Sequence, residues 1–174
     1  MTTEAQLYAA IRTKLVARKW AGDAGNDYVF ARKIGAAGDS QSVLVVGHDP
    51  DDVVERGLAR SPFALIYPGR VECDPDQPDW RRVDFAVVVG VSAMGVDPTG
   101  EVSMVGGHQT EGVGSSVGRG VVEVAEEVVS VVGHLVRADG IVAVAYLGSF
   151  DEPEILDAMP SPLATRALHF SAHI

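Results

Sequence analysis

An α+β fold, with a mainly antiparallel sheet covered by an N-terminal helix and a long central helix, is predicted by three patterns in this sequence. Apolar residues recur at helical spacing in TEAQLYAAIRTKLVARKW and again in RGVVEVAEEVVSVVGHLVR. They alternate with period two in RRVDFAVVVGVSAMG and in the terminal TRALHFSAHI. The order that results is helix, short elements, strand, strand, glycine-rich excursion, helix, strand, strand, which segregates helices from an antiparallel sheet instead of alternating them with parallel strands.

The first helix begins after Thr3, a good N-cap, and places Leu7, Ile11 and Leu15 on one face, widened by Tyr8 and Trp20. AGDAGNDYVFARKIGAAGDSQS reads mostly as loop around the apolar Tyr28, Val29 and Phe30. VLVVG, residues 43–47, is a brief strand. In HDPDDVVERGLARSP a short helix is expected, capped by Asp49, opened by Pro50 and stopped by Pro62. FALIYPG reads as a strand closed by a Pro-Gly turn, and CDPDQPDW as a turn-rich connection.

RRVDFAVVVGVSAMG then sets Val83, Phe85, Val87, Val89 and Val91 on one strand face. The valines of the second helical segment favour a strand by propensity, but Val121, Val124, Ala125, Val128, Val132 and Leu135 recur at helical intervals with glutamates between them. Periodicity decides for helix, because packing of an apolar stripe supplies most of a helix's stability. Asp139-Gly140 turns the chain into the strand IVAVAYLG. After the acidic, proline-containing FDEPEILDAMPSP, the chain ends on a strand whose Leu168, Phe170, Ala172 and Ile174 share a face.

With 174 residues, 47% hydrophobic and 22% charged, the chain has the make-up of one globular domain, 1–174, carrying a glycine-rich excursion at 102–118. Its net charge of −10 argues against a protein that coats or reads nucleic acid, since counterion displacement needs Lys and Arg. Cys73 is the only cysteine, so no intrachain disulfide forms, and the carboxylates around it disfavour a thiolate nucleophile. MTTEAQLYAA lacks a basic start followed by an apolar run, so no secretory leader is expected, and no segment has the roughly 20 apolar residues of a membrane helix.

No stretch matches a catalytic pattern. From Gly107 a phosphate loop would find its next glycine at Gly112, but Val113 stands where the lysine must be; Gly112 and Gly114 would need a third glycine at Val117 for a dinucleotide fingerprint. Ser115 and Ser116 lie outside a G-x-S-x-G elbow. On a strand, His169 and His173 share a face but stand about 13 Å apart, too far for one metal ion. Asp74, Asp76 and Asp79, and Asp151, Glu152, Glu154 and Asp157, form two acidic clusters that read as solvated loops. The expectation is therefore no enzyme, no cofactor and no metal. Glycine content instead favours an arm that is mobile in the free subunit and ordered by a neighbour.

With the elements in order, the chain resembles the tail terminator (tail completion) proteins of long-tailed bacteriophages and phage-derived particles. The features that carry the resemblance are the LYAAIRTKL helix, the PFALIYPG strand leading into a turn, RRVDFAVVVGV, a variable excursion into VVEVAEEVVSVV, IVAVAYLG, and the final ATRALHFSAHI; together they cover roughly residues 4–20 and 60–174.

The resemblance implies a tail-tube-like fold and a structural virion protein at the neck. It implies a hexameric ring that caps the completed tail tube, contacts the tail-tube protein, and offers its other face to the head-tail connector or stopper. DNA passes through such a lumen without specific binding. No membrane partner is implied, and assembly takes place in the host cytoplasm. By position, the excursion corresponds to the element contacting adjacent subunits or tube, which makes Val105, Gly106, Gly107, His108, Gln109, Thr110, Glu111, Ser115, Ser116 and Arg119 candidate interaction residues, with Asp151, Glu152 and Glu154 of the acidic loop second. Two alternatives stand beside this reading: another neck, head-completion or tail-tube subunit, or a small anion- or nucleotide-binding domain using Arg119 and the glycine loop before the central helix.

Overall fold

A computed structural model describes residues 2–20, 27–31, 36–47, 49, 52–53, 56, 58, 60–92, 104–105, 119–135, 141, 143–149, 154–156 and 163–174, with the backbone alone at 74, 77–78 and 154–156. Helix α1 spans Glu4–Val16 and helix α2 spans Val121–Gly133. The strands are β1 (Val43–Val45), β2 (Phe63–Asp74), β3 (Gln77–Ser92), β4 (Ala143–Gly148), β5 (Glu154–Leu156) and β6 (Leu163–His173). The class is α+β, as the periodicities predict.

The sheet runs β1-β2-β3-β6-β4, with β5 also pairing to β6. It is mixed: β1 lies parallel to β2, while the remaining pairs are antiparallel. The expected long central helix is thirteen residues, the same length as α1.

Helix α1 forms where its caps and stripe say it should. The Thr3 side chain accepts from the Gln6 amide and the Gln6 side chain accepts from the Thr3 amide, a reciprocal capping box that satisfies donors the first turn leaves open. Leu7, Tyr8, Ile11 and Leu15 face inward. Arg12, on the outer side, donates to the carbonyls of Val43 (2.9 Å) and Ser40 (3.0 Å), which ties α1 to the entry of β1. Beyond Val16 the helix ends, short of the Trp20 limit expected. The chain turns instead so that Lys19 bridges Tyr28, and Trp20, Val29 and Phe30 plug the core.

One face of the sheet packs under both helices. Val83, Phe85, Val87, Val89 and Val91 of β3 and Leu168, Phe170 and Ala172 of β6 join Leu7, Ile11, Leu15, Val124, Val128 and Val132 in a single core. Each such aliphatic side chain contributes roughly 1.5–3 kcal/mol relative to exposure. Four rings cross this core from α1 to β4: Tyr8 meets Phe85 edge-on, Phe85 stacks on Phe170 at 5.3 Å, and Tyr146 tilts against Phe170 at 5.3 Å. The opposite face carries a smaller cluster of Val46, Val53, Phe63, Leu65 and Leu163.

Two connections differ from expectation. Pro68 and Gly69 do not close a turn; β2 continues past them through a register shift before Val71. This occurs where β1 no longer flanks β2, so proline's missing donor leaves no gap in a central ladder. The shift also presses the backbone at Gly69 against β3: a Cβ there would stand 2.5 Å from the Asp84 carbonyl oxygen. CDPDQPDW, in turn, belongs almost wholly to strands. Only Pro75 and Asp76 form the turn of a hairpin, and β3 resumes at Gln77.

Of the short helix expected after Asp49, Asp52 and Val53 are helical, with Val53 buried in the smaller cluster; most of the remainder lies outside the described residues. The acidic connection holds β5, a short strand that its proline-rich composition conceals.

Candidate functional site

The glycine-rich excursion falls mainly outside the described residues. This includes Gly106, Gly107, His108, Gln109, Thr110, Glu111, Ser115 and Ser116, and also Asp151 and Glu152. Its two ends are described. Met104 packs against the main core in a helical turn with Val105, which is 54% exposed. At the other end, Arg119 and Gly120 lead into α2. Glu154 opens β5, pairing with Thr165.

Arg119 is held by two groups. Its guanidinium lies over the Trp20 ring, 4.8 Å from the centroid, and Nη1 reaches Glu123 Oε1 at 3.3 Å. One turn further along α2, Arg18 meets Glu127 at 2.6 Å. Two arginines thus clamp the entry of α2 to the segment following α1. A guanidinium already stacked and paired is a fastening for the helix, and an anion arriving there competes with Glu123. Gly120 supplies no side-chain cap; Glu123 places a carboxylate in the first turn of α2, where it favours the positive end of the helix dipole.

Two other surfaces stand out. The first is the edge strand β4, Ala-Val-Ala-Tyr-Leu-Gly, which contains no charged residue. Among the described residues no strand lies outside it, and Tyr146 and Leu147 are 39% and 45% exposed. Edge strands of soluble monomers are usually blunted by charge, proline or a cover, because their free amides and carbonyls pair with other chains. Nothing in the composition of β4 does this.

The second is the far end of the β2–β3 hairpin. β6 stops pairing with β3 at Arg82, backed by the exchange of backbone hydrogen bonds between Arg81 and Ile174, so residues 75–80 extend past the sheet. Trp80 there is 46% exposed, beside the exposed Asp76 and Asp79. On the stem, Arg82 pairs with Asp84 at 3.0 Å and lies 3.8 Å from Glu72, while Arg70 pairs with Glu72 at 3.0 Å. The stem is thereby charged and solvated, and the tip presents an aromatic.

Between α2 and the β4–β6 pair lies an open cleft of about 590 Å³, floored by Leu168 and Arg166 and walled by Val129, Ser130, Val144 and Tyr146. Arg166 Nε is buried with no hydrogen-bond partner among the described residues. His134 borders the cleft, its Nδ1 2.6 Å from the Ser130 carbonyl; since a carbonyl only accepts, the proton sits on Nδ1.

Among the described residues no group of three or more His, Cys, Asp or Glu side chains is placed to hold a metal ion. His169 and His173 lie on β6 as expected, paired with Ala86 and Arg82 of β3. No helix among the described residues is long and apolar enough to cross a membrane. No protein-family model matches this chain, and no curated protein matches it.

Sequence reasoning missed β4 as a site because it read IVAVAYLG as one more strand. The absence of charge was visible in the letters, but its position at the sheet edge was not. The hairpin tip was missed because prolines at 75 and 78 read as loop.

Proposed function

We propose that this chain is a structural assembly subunit that joins copies of itself into a closed ring, and that it acts as a tail terminator at the head-proximal end of a phage-like tail. The observation that carries the reading is the uncharged strand β4, with no strand outside it among the described residues and with Tyr146 and Leu147 exposed. The exposed tip of the β2–β3 hairpin is borne by strands on the other side of β6, so one subunit offers different surfaces on its two flanks. A contact between different surfaces of identical subunits generates a ring when the rotation closes.

The α+β sheet under two helices is compatible with the tail-tube-like fold of that family, and the acidic balance suits a lumen through which DNA slides. In this reading the ring caps the tube protein on one face and meets the connector or stopper on the other, in the virion neck. The excursion at 102–118 and the acidic loop are the elements that dress against these partners. Chemical cross-linking with mass spectrometry on the ring docked to tail tubes tests this: links from the excursion to tube protein are expected, and links confined to the subunit's own core speak against it.

A further inference from the structure

The backbone groups of β4 divide between its two sides in a fixed order. Arg81 and Ile174 exchange both of their backbone hydrogen bonds, at 3.0 Å each, and the β3–β6 register carries that alternation along β6. Ala172 and Phe170 therefore spend their groups on β3, while His173 and Ser171 spend theirs on Ala143 and Ala145 of β4. The amides and carbonyls of Val144 and Tyr146 point the other way, where no described strand meets them. The ladder shifts between Tyr146 and Gly148, so the regular outer edge of β4 consists of these four groups.

The other edges among the described residues are protected. β1 is three residues long, and Arg12 donates to its Val43 carbonyl. Beyond β1, β2 carries Pro68, a register shift, Arg70 and Glu72. β5 is three residues long and begins with Glu154. Each copy also has a net charge of −10, so two copies repel wherever carboxylates face one another. Along β4 two copies meet with no charged side chain opposed.

We infer that, before docking, β4 pairs antiparallel with β4 of a second copy about a two-fold axis through Ala145. In that register Val144 lies opposite Tyr146 of the second copy, and Tyr146 opposite its Val144, so every outward amide and carbonyl finds a partner. Moving the axis to Val144 or Tyr146 carries one pair past the end of the regular ladder. Val144 and Tyr146 both stand on the α2 side of the sheet, where a β-branched residue and an aromatic make a favourable cross-strand pair. On the other side Ala145, itself exposed, meets its own counterpart. The inference goes beyond the ring, because an isologous pair is closed and needs no tube protein. It occupies the edge on which ring formation draws, so docking must exchange one contact for the other. The dimer thereby holds subunits back from assembling without a tube.

Disulfide trapping and a charge swap test this on the full chain without tube protein. In a Cys73→Ser background, Ala145→Cys should link two copies in a glutathione redox buffer, because opposed residues of a non-hydrogen-bonded pair have Cα atoms about 4.5 Å apart. Ala143→Cys, displaced from the axis, should not. Ala145→Lys and Ala145→Glu should each weaken the dimer seen by light scattering by about fivefold or more while keeping the native melting transition. An equal mixture of the two should recover it, which a mere loss of packing would not. Equal linking of the Ala145→Cys and Ala143→Cys chains, a dimer indifferent to both charges, or a chain that is monomeric without tube protein overturns the pairing, and a ring formed on tubes would stand in each case. A linked dimer that forms no ring with tube protein keeps the pairing and overturns the ring.

Discussion

Arg119 lies over Trp20, its guanidinium carbon 4.8 Å from the ring centroid, while the same guanidinium holds Glu123 in the first turn of α2. The pair joins the residue that ends the glycine-rich excursion to the segment that follows α1, so the excursion leaves the core from a fixed point. Arg119→Ala removes both contacts at a partly exposed site and should cost about 1 kcal/mol. Arg119→Lys should recover little, because an ammonium does not stack as the planar group does. Urea denaturation of the three proteins checks this.

The other end of the excursion is fixed by Met104, packed against the main core. Deleting residues 105–117 should therefore leave a folded subunit with a near-unchanged melting temperature that no longer docks onto tail tubes. Circular dichroism with a tube-binding assay reads both halves of the statement. Loss of folding would make the excursion part of the core.

Gly90 stands opposite Phe63 in the β2–β3 ladder, and a Cβ at Gly90 would come within 2.1 Å of the Phe63 ring. The ring lies over the bare backbone of its partner. Gly90→Ala should destabilise by about 1–3 kcal/mol through overpacking. In a Phe63→Leu background the same change should cost much less, a non-additivity that a double-mutant cycle measures.

Tyr8 donates to Glu4 Oε1 at 3.0 Å, and burial first, then that carboxylate, push its phenol above its ordinary value. The folded state thus holds the Tyr8 proton more tightly than the unfolded chain does. Its contribution to stability is complete below about pH 10, where a free tyrosine ionises, and is lost as pH rises beyond that. Tyr8→Phe should flatten the alkaline fall of the melting temperature relative to the native sequence, and leave its acid side little changed.

Much of this architecture is written in local pattern. The six apolar positions read as the α2 stripe, Val121 through Leu135, are all buried, and the five alternating positions of β3 are buried likewise. Thr3 caps α1 as its position implies. These are properties of a single element meeting a single core, which periodicity reports directly. What stayed illegible depends on a partner strand. Pro68-Gly69 carries the letters of a turn, yet β3 holds β2 extended through it. Pro75 and Pro78 mask a hairpin, and β5 exists because β6 offers it an edge. The parallel β1–β2 pair and the place of β4 at the end of the sheet among the described residues follow from strand order, which no local pattern states. The candidate site was legible at Arg119 as a charge before a helix, but its occupation by Trp20, ninety-nine positions away in sequence, was not.

The central claim is that this is a ring-forming subunit, and its mass in solution tests that most directly. Light scattering across a concentration series, alone and with tail-tube protein, should give a discrete closed oligomer, or a monomer converted to one when tube protein is added. A strict monomer at every concentration, indifferent to tube protein, would contradict the account.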